Sequence, residues 1–389
     1  MQQRIRYFLA GITLAAGFGV ASAQPGGYEV IDLGTFTGGA TDSTRAAALN
    51  DLGQVTGSAF TAANRAPHAF FYSGGMLTDM GNLRPDDPAG AYYSFGTDIN
   101  NAGQVVGRAD SGPNKFASFI ADAGAPMTDI AKLGGVGFVN AFGVNSSGQV
   151  AGTVRASGVS NAAVWSVADG VTDLGNLGGN GVGLDLNDAG QVTGASSALS
   201  GAFNHAFLTG PGGVGMVDLG TLGGSFSQGT AVNSSGQVTG LSYTFGDGPT
   251  HAFFYSNGGM TDLGTLGGSF SEGMGLNDSG FVVGRAMTAG DAQQHAFVSG
   301  VNGVGLFDLN WFVSLDAGRF LTEAVGINRY GQIVANDNTG HAFLLSPVPE
   351  PQTWAMVLAA LALIGAKTGG LRRRGTQAAQ RKPNLRPKG

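Results

Sequence analysis

A turn motif of eight residues occurs seven times along this chain of 389 residues. In its fullest form it reads N-x-x-G-Q-V-x-G, as in "NDAGQVTG" at 187–194, and the intervals between successive copies are 42 to 51 residues. Repeats of about 40–50 residues are typical of β-propeller blades, whereas a coil of a parallel β-helix is much shorter. The first asparagine of each copy lies at Asn50, Asn100, Asn145, Asn187, Asn233, Asn277 and Asn328.

Two further marks recur between the turns, and their order along the chain never changes. An Asp mark, which is aspartate followed by an apolar residue, lies at Asp32, Asp79, Asp129, Asp173, Asp218, Asp262 and Asp308. A HAF triplet begins at His68, His205, His251, His295 and His341. In the second and third copies "ASF" at 117 and "AAV" at 162 stand in its place.

Each repeat can be interpreted as four short strands. One ends at the Asp mark, one enters the turn, one is the alternating "GQVTG" segment, and one carries HAF. In the turn, Asn at the first position and Gly at the fourth fit a type I turn closed by a left-handed glycine. The body shows no convincing period of 3.6 residues, so almost no helix is expected there.

The two ends of the repeat array predict a closed ring. The array begins with an Asp-mark strand, "YEVIDLG" at 28–34, and stops at a HAF strand, "HAFLL" at 341–345. Pairing these two strands would complete the last sheet and leave no open edge, whereas an open solenoid would need polar caps, which are not seen. The predicted fold is therefore all-β, a seven-bladed β-propeller of four-stranded blades closed by the N-terminal strand. A signal helix precedes it and a membrane helix follows it.

Composition narrows the class of protein. The chain contains 69 glycines, which suits many tight turns, and no cysteine, which excludes disulfides and thiolate chemistry. Between residues 24 and 348 there are 25 acidic and 10 basic side chains, a charge of −15. Such a body repels polyanions, so nucleic-acid binding is not expected.

The N-terminus has the pattern of a secretory signal peptide, residues 1–23. Arg4 and Arg6 precede an apolar stretch, and "ASA" comes before a predicted cleavage between Ala23 and Gln24. Its partners would be the Sec translocon and signal peptidase. The alternative is an uncut N-terminal anchor.

The C-terminus, residues 347–374, combines three unlike elements. The triplet Pro349, Glu350 and Pro351 precedes a short apolar run that starts at Trp354, and an arginine cluster follows it. In order and type these elements resemble the PEP-CTERM sorting signal of Gram-negative bacteria. That resemblance implies processing by an exosortase and membrane contact only through the C-terminal helix of the precursor. A plain membrane anchor is the alternative, and the tail 375–389 is longer than usual for the family and is predicted to be disordered. The cluster is Arg372, Arg373 and Arg374.

The phrases "DLGTLGG", "GQVVG" and "HAF" also resemble the HAF repeat family of bacterial extracellular proteins, over nearly all of 28–345. Such repeats are commonly found with PEP-CTERM tails, so the two resemblances support each other. The family implies no enzymatic activity.

All five histidines lie in HAF triplets, and we interpret them as structural. Equivalent positions of a propeller lie on a ring, and two copies lack histidine, so the five rings cannot converge on one ion as transition-metal ligands must. Each is expected to bond a neighbouring turn or the next blade, and each Asp mark to accept backbone N–H bonds from the turn that follows it. No metal site and no cofactor are predicted. Calcium binding by acidic loops such as 84–90 is the alternative.

Departures from the repeat suggest where a ligand could bind. Exposed aromatic rings can stack on sugars, and two loops outside the repeat pattern carry them. They can equally be packing between blades. The candidates are Tyr92, Tyr93, Trp311 and Phe312.

No catalytic residue is predicted, because the chain has no phosphate loop, nucleophile elbow or zinc helix. The predicted function is that of a non-enzymatic, exported structural or glycan-binding protein of the cell surface or exopolysaccharide matrix. Extracellular polysaccharide is the candidate ligand. The alternatives are a polysaccharide hydrolase or lyase with a carboxylate site on one propeller face, and a cation-binding surface protein.

Overall fold

The architecture was analysed in a computed structural model. The predicted signal peptide, the Pro-Glu-Pro triplet with the apolar run and arginines after it, and the basic tail lie outside the described residues. The structure describes residues 27–36, 42–60, 66–84, 92–112, 115–156, 158–198 and 204–348.

The first half of the chain forms one separate strand and then successive four-stranded antiparallel meanders. Within each meander the strand that enters the asparagine turn lies at one edge and the Asp-mark strand at the other. The strands are β1 Tyr28–Asp32; β2 Thr44–Leu49, β3 Val55–Phe60, β4 Pro67–Ser73 and β5 Met76–Asp79; β6 Ser94–Ile99, β7 Val105–Gly112, β8 Lys115–Ala121 and β9 Thr128–Asp129; β10 Phe138–Val144, β11 Val150–Ala156, β12 Val159–Ser166 and β13 Gly170–Gly175; β14 Gly178–Leu186, β15 Val192–Ala198, β16 Asn204–Thr209 and β17 Met216–Asp218.

The second half continues the pattern. Two meanders are joined into one eight-stranded sheet by a single parallel pairing between Thr250 and Phe270, and the last sheet contains three strands of its own. The strands are β18 Gly223–Val232, β19 Val238–Thr244, β20 Thr250–Ser256 and β21 Gly259–Gly264; β22 Gly267–Leu276, β23 Val282–Thr288, β24 Gln294–Ser299 and β25 Leu306–Asp308; β26 Leu321–Ile327, β27 Ile333–Asp337 and β28 Ala342–Pro347.

Helical structure in the described part of the chain is limited to five short 3-10 turns, and none of them is long and apolar enough to cross a membrane. This matches the missing 3.6-residue period in the sequence. The turns are Ile130–Leu133, Pro211–Gly213, Ala289–Asp291, Val301–Gly303 and Leu309–Trp311.

The last sheet is completed by the first strand. β1 pairs antiparallel with β28, with Tyr28 opposite Pro347 and Asp32 opposite Phe343. The backbone N–H of Val348 also donates to the carbonyl oxygen of Gly27. The expected pairing between the first strand and the last HAF strand is therefore present, and it covers an edge that would otherwise be open to other chains.

The hydrophobic core lies between neighbouring sheets. The phenylalanine of HAF is fully buried in most repeats, and each such ring contributes about 1.5–3 kcal/mol by leaving water. One cluster joins Val55 and Phe70 of the first meander to Val334 and Leu344 of the last sheet. The repeats thus bury their apolar surface against each other, and the fold is a β-propeller.

The third repeat fills its core differently. Strand register aligns Ala163, not a phenylalanine, with Phe70 of the first repeat, so the true counterpart of HAF is the triplet that begins at Asn161 and not "AAV" at 162. The ring of Phe138, from the neighbouring strand, lies against Gly152, where the HAF ring lies in other repeats. Trp165 is fully buried beside it.

Candidate functional site

The seven turn asparagines form a closed cycle of hydrogen bonds, which we call the asparagine ring. The side-chain Nδ2 of each donates to the backbone carbonyl oxygen of the asparagine in the next repeat, over 2.9–3.2 Å. The cycle closes when Asn328 donates to Asn50 at 3.1 Å, across 278 residues of sequence. All seven side chains are buried. Each repeat is thus tied to the next by a buried hydrogen bond between their turns.

Local hydrogen bonds explain the rest of the motif, as Asn187 illustrates. Its Oδ1 accepts from the backbone N–H groups of Ala189 and Gln191, and its Nδ2 also donates to the Gln191 side chain. Gly190 closes the turn with a φ of +72°, a conformation that favours glycine. The expected turn with a left-handed glycine is present. In the sixth repeat Phe281 replaces glutamine, so Asn277 lacks that bond.

The residues that follow the ring asparagines surround one mouth of a central cavity of about 260 Å³. The Arg329 side chain pairs with Asp51, and Asn101 donates to Asp51 at 2.8 Å. Partial burial alone would raise the pKa of Asp51. The hydrogen bonds from Arg329 and Asn101 outweigh this effect, so the pKa is lowered. The last repeat is therefore linked to the first by an ion pair as well as by the asparagine ring.

Two aspartates lie further inside, in an adjoining cavity of about 260 Å³ that the innermost strands enclose. We call Asp98 and Asp185 the channel aspartates. Each lies at an irregularity in its innermost strand, two residues before a ring asparagine. The equivalent residues of the other five repeats are alanine or glycine: Ala48, Gly143, Ala231, Gly275 and Gly326. Only these two repeats place an ionisable side chain here.

Each channel aspartate is held by the next repeat along the chain. Asp98 Oδ2 accepts from the backbone N–H of Val144 at 2.7 Å, and Asp185 Oδ2 accepts from Val232 at 2.8 Å. Burial and the negative charge of Asp185 raise the pKa of Asp98 to about 8. Burial raises the pKa of Asp185 to about 6. Near neutral pH the two carboxyl groups therefore retain a proton that ordinary aspartates would lose.

The surroundings of the channel aspartates limit their chemistry. The other lining side chains are mostly aliphatic, with Thr97, Thr230 and a single aromatic ring, Phe142, among those the structure describes. Across all the residues that the structure describes, no group of three or more histidine, aspartate or glutamate side chains is placed to hold a metal ion. The pair can hold and exchange a proton, but it lacks an aromatic-lined groove for a sugar chain. Neither aspartate was predicted from the sequence, although an alignment of the seven turns shows aspartate at this position in two repeats and alanine or glycine in the other five.

The HAF histidines lie away from this cavity, and each pairs with an Asp mark. Nδ1 of the histidine contacts the carboxylate at 2.6–3.3 Å, and the partner lies at or near the end of the outermost strand of the same sheet. We expected a neighbouring turn or the next blade instead. Each histidine contacts the outermost strand because that strand runs antiparallel beside the HAF strand. The pairs are His68–Asp79, His205–Asp218, His251–Asp262, His295–Asp308 and His341–Asp32.

Each Asp mark also accepts a backbone N–H bond from the residue two positions later, as in Gly264 to Asp262 at 2.7 Å. In the third repeat Asn161 takes the place of histidine and donates to Asp173 at 2.8 Å. The histidine and asparagine contacts tie the third and fourth strands of six sheets together, whereas the second repeat has Ala117 at this position. The structure does not bring the five histidines into one site.

The candidate sugar-binding aromatics belong to different sheets. Tyr93 is 41% exposed, and the guanidinium of Arg84 lies 4.1 Å from the ring centroid of Tyr92. Trp311 is 72% exposed at the end of a 3-10 turn, whereas Phe312 packs against the core of the last sheet. Of the four rings, Tyr93 and Trp311 present the most surface.

Comparison with known proteins agrees with a β-propeller and gives no activity. A family model described as a protein of unknown function (DUF3466) matches residues 29–118. A search among curated proteins finds no match.

The structural neighbours are distant. A prolyl endopeptidase structure has a TM-score of 0.53 at 10% identity, with 80% of this chain and 51% of that chain covered. TolB from Acinetobacter baumannii gives 0.44 at 12% identity, covering 64% and 61%. The β-propeller domain of the Trilobed protease from Pyrococcus furiosus gives 0.42 at 9% identity, covering 64% and 83%. The chain thus spans about half of the endopeptidase and three fifths of TolB, and the likeness concerns the fold alone.

Proposed function

We propose that the chain is an exported, seven-bladed β-propeller that serves as a non-enzymatic structural or glycan-binding component of the cell surface or exopolysaccharide matrix. The observation that carries the architecture is the asparagine ring, because a cycle of seven donors and seven acceptors requires one turn from each repeat. The eight-stranded sheet counts as two blades, since a single residue pairing joins its halves.

The contents of the central cavity favour a scaffold over an enzyme. The cavity at its centre is lined mainly by small and aliphatic side chains, and the two carboxylates inside it already accept backbone hydrogen bonds. Aromatic rings are instead exposed outside the cavity, at Tyr93 and Trp311. Such rings can stack on sugars without any bond being broken.

Export and processing by an exosortase are proposed from the two ends of the sequence. The contact between Gly27 and Val348 supports this arrangement, because both predicted processing segments would leave the ring at one place. The test is mass spectrometry of the mature protein from cells with and without the exosortase. The C-terminus should be shortened near Pro349–Pro351 only when the enzyme is present. The same mature C-terminus in both strains would refute the sorting proposal.

Glycan binding is tested with the purified protein and the extracellular polysaccharide of its own host. We expect retention on immobilised polysaccharide and competition by the free polymer. A Trp311→Ala and Tyr93→Ala double variant should bind more weakly while it retains the wild-type thermal stability, since both rings are exposed. Failure of the wild type to bind would remove the glycan-binding half of the proposal.

One observation favours the enzymatic alternative, namely the pair of carboxyl groups with raised pKa values at Asp98 and Asp185. Glycosidases use one protonated and one ionised carboxyl group. A reducing-end assay on the same polysaccharide decides between the two functions. Release of reducing ends by the wild type that Asp185→Asn abolishes would establish a polysaccharide hydrolase or lyase, and no release supports the scaffold.

A further inference from the structure

Three aromatic rings and one arginine form a continuous patch on the second repeat, which we call the aromatic–arginine patch. It consists of Tyr93, Phe95, Arg108 and Phe116. The rings of Tyr93 and Phe95 are stacked, with centroids 6.4 Å apart and an angle of 12° between their planes. The guanidinium of Arg108 lies 5.2 Å from the centroid of Phe95 and 5.4 Å from that of Phe116. Tyr93 is 41% and Phe116 52% exposed.

The guanidinium of Arg108 has no carboxylate partner in the part of the chain that the structure describes. The matching position of the sixth repeat shows what is missing. Arg285 lies opposite Glu272 on the neighbouring strand and forms an ion pair with it at 2.6 Å. Arg108 lies opposite Phe95 in the same register. The second repeat thus keeps the arginine and has an aromatic ring where the sixth has the counter-ion.

The surrounding charges leave the patch positive on an otherwise acidic protein. Lys115 is exposed next to Phe116 in the sequence and forms no ion pair within the described residues. Among the described residues Asp110 is the nearby carboxylate: it lies opposite Phe116 in register and accepts the backbone N–H of Tyr93 at 2.9 Å. It keeps its negative charge, so Arg108 and Lys115 leave the described part of the patch with one net positive charge. Between residues 24 and 348 the protein carries a charge of −15, so this concentration of positive charge is unusual for it.

We propose that the patch binds a polysaccharide that contains uronic acid residues. The apolar face of a sugar ring would stack on Tyr93 or Phe116, and the sugar carboxylate would take the place that Glu272 has beside Arg285. Guanidinium groups suit this role because their planar N–H donors match both oxygens of a carboxylate. The inference rests on the proposed glycan-binding function and names its ligand class.

The experiment measures binding of the full-length protein to three acidic polysaccharides, polygalacturonate, alginate and hyaluronate, and to their carboxyl-reduced forms. Each contains uronic acid residues, and the three are called polyuronates below for short. We expect at least one polyuronate to bind at least tenfold more tightly than its reduced form, and the difference should shrink as salt is raised. Arg108→Gln should weaken that binding about tenfold and Phe116→Ala severalfold. Arg285→Gln is the matched control, because it removes an arginine at the same register position, and it should change binding less than twofold.

The outcomes separate this inference from the proposed function. Equal binding of the acidic and reduced polymers, or binding of a polyuronate that Arg108→Gln leaves unchanged, would overturn the inference while glycan binding stands. Binding of the host polysaccharide with no binding of any polyuronate would also overturn it. No binding of any polymer would overturn both. Thermal unfolding of each variant shows that a loss of binding is not a loss of fold.

Discussion

Replacing Asn187 by alanine tests whether the asparagine ring stabilises the fold. This side chain makes four hydrogen bonds, three to atoms of its own turn and one to the carbonyl oxygen of Asn233. It is only 6% exposed, so water cannot replace these partners freely. At about 1 kcal/mol for each bond, the variant should lose about 4 kcal/mol of unfolding free energy.

The sixth repeat supplies an internal comparison for that estimate. Asn277 makes three bonds of the same kind, two from its own turn and one to the Asn328 carbonyl oxygen, because Phe281 stands where the other turns have glutamine. Asn277→Ala should therefore cost about 3 kcal/mol, roughly 1 kcal/mol less than Asn187→Ala. Which variant loses more unfolding free energy tests the bond count even if the energy of one bond differs from about 1 kcal/mol by a common factor.

Urea unfolding followed by tryptophan fluorescence measures both variants, because Trp165 is fully buried. The midpoint should fall while the slope of free energy against urea stays constant. A loss below about 1 kcal/mol for Asn187→Ala would show that the ring does not stabilise the fold. A larger loss for Asn277→Ala than for Asn187→Ala would contradict the bond-by-bond reasoning.

Three further predictions use the same unfolding assay or a simple oxidation. Because the pKa of Asp98 is raised to about 8, the folded state binds more protons than the unfolded state between about pH 4 and 8, so wild-type stability should fall as pH rises through that range. Asp98→Asn should remove about 1–2 kcal/mol of this decline between pH 5 and 7, and an unchanged pH slope would contradict the assignment. A cysteine pair at Glu29 and Ser346, which are opposite each other in register, should form an intramolecular disulfide on mild oxidation, detected by gel mobility; a pair that stays reduced would argue against ring closure. Gly240→Ala would place a Cβ 1.9 Å from a carbonyl oxygen of the neighbouring strand and should cost at least about 3 kcal/mol, whereas Gly259→Ala, with no atom closer than 3.9 Å, should be within about 0.5 kcal/mol of wild type.

The sequence predicts the strands well because each strand is bounded by residues with a strong local preference. Asn50 and Gly53 define a turn by their own hydrogen bonds and backbone angles, whatever the rest of the chain does. The closing pair of strands could also be predicted. Within each repeat the HAF strand is followed by an Asp-mark strand, and the array starts with an unpartnered Asp-mark strand and ends with an unpartnered HAF strand. Local chemistry and strand order were therefore enough for the outline of the fold.

Contacts between repeats could not be predicted in the same way. The bond from Asn50 to the carbonyl oxygen of Asn100 spans fifty residues, and nothing in either turn shows that the other lies beside it. That Asp98 and Asp185 line the same cavity likewise depends on how their two innermost strands are placed in the assembled sheets. Phe138 fills a space left by a residue on another strand, which only the packed sheets show.

The pairing of β1 with β28 has a consequence for how the protein is made. The ring cannot be completed until the last of the repeats has been synthesised, because its final sheet waits for a strand from residues 28–32. Joining two strands that are separated by some 310 residues costs about 5 kcal/mol in chain entropy, so the pairing of β1 with β28 should be among the last contacts to form. If the chain is exported as proposed, this order would keep the ring open until the whole chain has crossed the membrane.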